Sequence, residues 1–231
     1  TACRINGTIM TQPLLDAIEI ETAPNPDCAV IWLHGLGADG NDFVPIVPEL
    51  GMKSEPAIRF VFPNAPVQPV TINGGASMRA WYDIRNADLG RREDEQGIRD
   101  SERLIQALIA RENERGIATE KIVLAGFSQG CAMTLHTGPR LAQKLAGMIG
   151  LSGYLPLPDL LQAEQQSANR NTPIFMAHGT QDPVVPVDRA QASCQKLREQ
   201  GYEVTFKTYN MPHSVCLPEI SDIADFLRKV L

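Results

Sequence analysis

The chain has 231 residues, a mass of 25.3 kDa, a formal charge of −6 and a pI near 5.3. That length suffices for a full hydrophobic core, and residues 1–231 are expected to form a single domain. The acidic balance argues against a nucleic-acid partner, since the longest basic cluster is the pair Arg91-Arg92, followed at once by Glu93, Asp94 and Glu95. In chain order, strand-like runs lie near Ile18 and Ile31, and the second of them, Ala29–Leu33, opens into a glycine-bearing loop from His34 to Gly40. A third run surrounds Phe60. The segment from Pro63 to Ala80, with three prolines and the pair Gly74-Gly75, reads as the only long irregular stretch, and Val67 to Met78 within it as a flap hinged at the glycines. Ile98, Ile105, Leu108 and Ile109 mark the clearest helix, ending before Gly116. Further strand-like runs surround Val123, Ile149, Phe175 and Phe206. The alternation predicts an α/β fold with a mostly parallel sheet and helices on both faces. Leu155 to Thr172 is too short for a separate cap domain, so an open site is expected.

The most informative segment is Gly126-Phe127-Ser128-Gln129-Gly130, directly after the apolar run Lys121–Ala125. A G-x-S-x-G turn reverses a strand sharply into a helix and holds the serine backbone strained, which lifts the hydroxyl clear of the sheet. Such a serine needs a histidine to take its proton and an acid to fix that histidine's tautomer. In the α/β-hydrolase plan the order is serine, acid, histidine, which excludes His34. His136 falls in the helix after the elbow and reads as a partly exposed helix residue, while His178 ends an apolar run with no acid placed before it. His213 remains, on the loop after Val204–Tyr209, although a surface-loop histidine without a role would read the same way. For the acid, Asp182 in His178–Pro186 is the choice; it could equally be a turn residue, and Asp188 a helix cap. Taken together, serine, acid and base each follow a separate strand in the required order. The Gln129 and Leu36 amides are the candidate oxyanion donors.

These residues resemble the phospholipase/carboxylesterase group of α/β-hydrolases, which includes bacterial carboxylesterases and acyl-protein thioesterases. The blocks that carry the likeness are HGLGADGNDF from His34, FPNAPVQPVTINGG from Phe62, RAWYD from Arg79, GFSQG from Gly126, LSGYLP from Leu151, HGTQDPVVP from His178 and MPHSV from Met211. The resemblance implies the same triad, Ser128, Asp182 and His213, with the Leu36 and Gln129 amides as oxyanion hole. It places Trp81 in the substrate groove wall, although a tryptophan packed beneath the loop would look identical in sequence. Ile72, Met78 and Leu155 are further substrate-binding candidates.

The expected activity is cofactor-independent hydrolysis of carboxylic esters through an acyl-enzyme. Simple esters rank first, ahead of lysophospholipids and acyl thioesters on protein cysteines, and a non-catalytic binding protein on the same scaffold is the remote rival. No apolar stretch approaches the roughly 20 residues of a membrane span, and the amino terminus lacks a basic region followed by an apolar core, so a cytoplasmic location is expected. Five scattered cysteines, Cys3, Cys28, Cys131, Cys194 and Cys216, fit reduced thiols. No C-x-x-C, H-E-x-x-H or histidine pair at ligand spacing suggests a metal. The partner is expected to be a small acyl ester or thioester, and self-association as a homodimer is left open.

Overall fold

A computed structural model describes residues 14–52, 56–85 and 93–231. Cys3 and the Arg91-Arg92 pair lie outside the described residues. Strand β1 (Ala17–Glu21) is followed by β2 (Cys28–Leu33), the short helix α1 (Ile46–Glu49) and β3 (Ile58–Pro63). Next come β4 (Val67–Val70), β5 (Ala76–Arg79), the long helix α2 (Glu95–Glu114), β6 (Ile122–Phe127) and α3 (Gln129–Thr137). The chain ends with β7 (Gly147–Leu151), α4 (Leu161–Glu164), β8 (Ile174–Gly179), α5 (Val187–Glu199), β9 (Val204–Tyr209) and α6 (Leu217–Val230).

Seven of these strands form one sheet in the order β1-β3-β2-β6-β7-β8-β9, parallel throughout except for β1 against β3. Every strand-like run named from the sequence is a strand of this sheet. Residues of β2, β3, β7 and β8 are buried at every position, because helices cover both faces, and so they read as largely apolar runs, with Arg59 in β3 and His178 in β8 as the polar exceptions. Alternation along β2 sends Ala29, Ile31 and Leu33 into one core with Ile98, Ile105 and Leu108 of α2, Leu135 of α3 and Leu197 of α5. Val30 and Trp32 point the other way, into a core with Ile46 of α1 and Ile223 and Leu227 of α6. The helix expected from Ile98, Ile105, Leu108 and Ile109 is α2, and all four residues are buried.

Adjacent strands β2 and β6 send their chains in opposite directions across the sheet, β2 towards β3 and β6 towards β7. Their carboxyl ends therefore flank a switch point, where loops diverge and leave a crevice. Between β7 and β8 there are only α4 and a single 3₁₀ turn, so among the described residues no cap domain stands over that crevice.

One expectation needs correction. Residues 63–80 are not irregular: β4 and β5 pair antiparallel, Val67 opposite Arg79 and Val70 opposite Ala76. Gly74 and Gly75 form the turn, at φ 67° and 79°. Two-stranded pairing tolerates Pro69, since both strands are edges. The hairpin is also tied down, because the Thr71 amide and hydroxyl donate to Asp83 at 2.7 and 2.6 Å and the Ile72 amide donates to the Ile84 carbonyl at 2.8 Å. Val70, at the end of β4, is fully buried.

Candidate active site

Ser128 sits between β6 and α3 at φ 56° and ψ −115°, a conformation that residues with a Cβ avoid. The flanking glycines are sterically required. A Cβ on Gly126 would stand 2.2 Å from the Gly130 carbonyl, and one on Gly130 would stand 2.2 Å from the Leu33 carbonyl oxygen. The turn is held by the Ser128 amide, which donates to the Leu151 carbonyl at 2.8 Å.

Two loops from the far side of the sheet complete a hydrogen-bonded line. His213 Nε2 lies 3.0 Å from Ser128 Oγ, and His213 Nδ1 lies 2.6 Å from Asp182 Oδ2. Asp182 is buried, and its other oxygen accepts the amides of Val184 and Val185 at 2.8 and 2.9 Å. With Nδ1–H donated to the carboxylate, Nε2 presents its lone pair to the serine hydroxyl, the arrangement needed to accept that proton. The Phe127 ring packs against the imidazole with centroids 4.8 Å apart, which fixes its plane. Asp188, read from the sequence as a helix cap, lies in the first turn of α5 instead, and Pro186 occupies the cap position.

The remaining histidines are buried. His178 donates from Nε2 to the Val185 carbonyl at 2.8 Å, with Asp182 Oδ2 at 3.3 Å, and so pins the loop that carries the acid. Desolvation lowers its pKa, which keeps it neutral. His136 is fully buried rather than partly exposed, because α3 is enclosed on all sides, and its Nε2 stands 3.2 Å from Glu102. His34 accepts the Ala65 amide at Nε2 (3.0 Å) and donates from Nδ1 to the Gly35 carbonyl (2.7 Å), and burial holds its pKa down as well. It is therefore a neutral strut for the loop after β2.

That loop brings Leu36 beside the elbow. A Cβ on Gly35 would lie 3.3 Å from the Ser128 Cβ, so the two segments are in van der Waals contact. Gly37 donates to the Arg79 carbonyl at 2.8 Å. Among the described residues, neither the Leu36 nor the Gln129 amide donates to a main-chain or side-chain acceptor. The Gln129 side chain accepts the Trp81 amide at 2.8 Å and donates to the Tyr82 carbonyl at 2.7 Å.

A cavity of about 270 Å³ adjoins Ser128 and is lined by Leu36, Gln129, Tyr82, Tyr154, Val185 and, at the rim, Ile72, Asn73, Ile84 and Val184. Ile72 lies at the mouth, where it and Val184 are exposed. Three other candidates are not on this wall. Trp81 is 1 % exposed, and its Nε1 donates to the His34 carbonyl at 2.9 Å, so it packs beneath the loop. The next residue, Tyr82, faces the cavity in its place, its hydroxyl 3.0 Å from that of Tyr154. Met78 packs beside Gly37 and Asn73, and Leu155 is buried in the core with its amide on Ser193 Oγ. Among the described residues no cluster of histidine, cysteine and carboxylate side chains is grouped to hold a metal ion, and no helix is long and apolar enough to cross a membrane.

Fold and elbow together define a class, the α/β-hydrolases with serine at the strand-to-helix turn. Residues 16–231 match the family described as Phospholipase/Carboxylesterase, and the chain belongs to that family. It is 36% identical over 226 residues to acyl-protein thioesterase 1 of Yarrowia lipolytica, covering 94% of this chain and 98% of the relative. It is 43% identical over 212 residues to the Neurospora crassa protein of the same name, covering 87% and 86%. The crystal structure of Arabidopsis thaliana SOBER1 superposes with a TM-score of 0.82 at 32% identity, over 87% of this chain and 98% of that one.

Proposed function

We propose that residues 1–231 act as one hydrolase domain that cleaves acyl thioesters on protein cysteines, with Ser128 as nucleophile, His213 as base and Asp182 as its orienting acid. The unbroken line Asp182–His213–Ser128, at 2.6 and 3.0 Å, carries the reading. Ser128 Oγ attacks the acyl carbonyl while its proton passes to His213 Nε2. The carbonyl oxygen becomes an oxyanion facing the Leu36 and Gln129 amides. Collapse breaks the carbon–sulfur bond, and His213 returns the proton to the departing sulfur, leaving an acyl-serine and a free thiol. Water, deprotonated by His213, then attacks the ester; the carboxylic acid leaves and Ser128 recovers its proton.

The sequence alone ranks simple carboxylic esters first. The shared name of the relatives, acyl-protein thioesterase 1, favours the thioester reading instead. The largely apolar cavity beside Ser128 suits an acyl chain, and the buried thiols of Cys28, Cys131 and Cys194 suit a reducing cytoplasm. The test is kcat/KM on an acylated cysteine peptide, the serine oxyester of the same peptide and a lysophospholipid of equal chain length. The thioester should lead. An oxyester or lysophospholipid that outruns it would return the enzyme to one of the other classes, and failure of a fluorophosphonate probe to label Ser128 would remove the nucleophile assignment.

A further inference from the structure

A second cavity, of about 410 Å³, lies on the other partner of the Ser128–His213 hydrogen bond. The first cavity is lined by Ser128, Leu36 and Gln129 but not by His213, whereas the second is lined by His213 but not by Ser128. The 3.0 Å bond between the two side chains therefore joins one cavity to the other. In acyl transfer these sides differ: the acyl carbon and its oxyanion belong with Ser128 and the amide donors, while the leaving atom must come within hydrogen-bond reach of the histidine that protonates it. Whatever is attached to the leaving sulfur has to emerge on the His213 side.

The second cavity has a composition of its own. Phe43, Phe127 and Val215 form an apolar floor, with the Phe43 and Phe127 rings 5.4 Å apart. Asp42 and Glu49 stand exposed at its edge. Among the described residues neither carboxylate is paired with a cation. The guanidinium on this side, Arg228, is occupied by Asp225 at 2.8 Å and by the Leu50 carbonyl at 3.3 Å. The chain as a whole carries a charge of −6, so nothing in its net field offsets this edge.

We propose that this groove is the leaving-group subsite and that it selects acylated cysteines flanked by lysine or arginine, a reading that rests on the thioesterase activity proposed above. The peptide backbone next to the cysteine lies over Phe43 and Phe127, and its basic side chains reach Asp42 and Glu49. Both contacts are solvent-exposed, so they act as two weak, salt-sensitive pairs.

The test uses the full chain and three octanoyl-cysteine peptides that differ only in the residues flanking the cysteine, which are lysine, serine or glutamate. The lysine peptide should exceed the serine peptide in kcat/KM by about two- to thirtyfold, the range that two exposed ion pairs span. The glutamate peptide should fall below the serine one. The preference should collapse towards one in about 1 M salt, where the Debye length is about 3 Å, and in the double variant Asp42→Asn, Glu49→Gln. Equal rates on all three peptides would overturn the subsite and leave the thioesterase reading standing; cleavage of none of them, with a simple ester still hydrolysed, would remove both. A double variant that keeps the lysine preference but loses lysophosphatidylcholine hydrolysis would assign the groove to a cationic lipid head group, against the proposal.

Discussion

Replacing Ser128 by glycine and by alanine separates chemistry from strain. Ser128 holds φ 56° and ψ −115°, which glycine adopts freely and any residue with a Cβ resists. Strain of this kind costs about 1–3 kcal/mol. Both variants lose the hydroxyl and its bond to His213, so that loss cancels between them. Alanine keeps the Cβ and hence the strain; glycine sheds it but gives back about 0.4–1 kcal/mol through the greater freedom of the unfolded chain. Ser128→Gly should therefore be more stable than Ser128→Ala by about 1 kcal/mol, within a range of about 0 to 2.5 kcal/mol. In a chain of this size 1 kcal/mol corresponds to about 2–4 °C in Tm. Urea unfolding with a common slope gives the difference directly, and ester hydrolysis gives the second readout, where each variant should lose on the order of a millionfold in kcat. An alanine variant more stable than the glycine one by about 1 kcal/mol would refute the strain argument. Residual kcat above about a thousandth of wild type would refute the nucleophile.

Two further outcomes follow from buried carboxyl groups. In Asp182→Asn the amide oxygen can keep both loop bonds to Val184 and Val185, which turns the NH₂ towards His213 Nδ1 and forces the tautomer whose Nε2–H faces Ser128. Activity should fall by about 10⁴ while Tm stays nearly constant, and an Asp182→Asn enzyme close to full activity would transfer the role to another acid. Glu219, in the first turn of α6, is fully buried with neither carboxyl oxygen in hydrogen-bonding geometry to a partner, and desolvation pushes its pKa up to about 8, aided by Asp222. Native protein then keeps a proton that the unfolded chain releases above about 4.5, so stability drains away as pH rises from there towards 8. Glu219→Gln abolishes that drain: its stability relative to wild type should climb by up to about 1.4 kcal/mol per pH unit across the window. A difference that is flat from pH 5 to 8 would mean Glu219 is ionised in the fold.

Signals within a few residues were legible in the sequence. The inner strands of the main sheet are visible as apolar runs because burial on both faces leaves little room for polar alternation, whereas the edge strands β1 and β9 show through their alternation of apolar with exposed polar residues. The elbow was legible because two glycines are demanded by contacts a Cβ could not survive. What failed depended on distant partners. The hairpin at 67–79 was hidden by Pro69 and the prolines just before it, since a two-stranded pairing accepts a proline where a central strand would not. Trp81 and Tyr82 are adjacent, so one faces the core and the other the cavity, and sequence likeness alone cannot choose between them. His34 and His178 passed for spare histidines, since their roles lie in bonds to Ala65 and Val185. Met78 and Leu155 were apolar residues near the right loops, and packing drew them elsewhere.

The two amides proposed for the oxyanion sit on loops that follow different strands, so their separation is not set by either loop alone. A chain of buried hydrogen bonds spans the gap. The Gln129 side chain grips the main chain at Trp81 and Tyr82, the Trp81 indole donates to the His34 carbonyl, and His34 in turn accepts the Ala65 amide. Ser101 on α2 closes the frame from below through the Trp81 carbonyl. Each link is nearly free of solvent, where an unmade bond costs about 1–3 kcal/mol, so the frame resists opening at any single member. Such rigidity is what a donor pair needs if it is to meet developing charge without reorganising. The tryptophan first placed in the substrate groove thus acts one layer deeper, in the frame that spaces the two backbone amides proposed for the oxyanion.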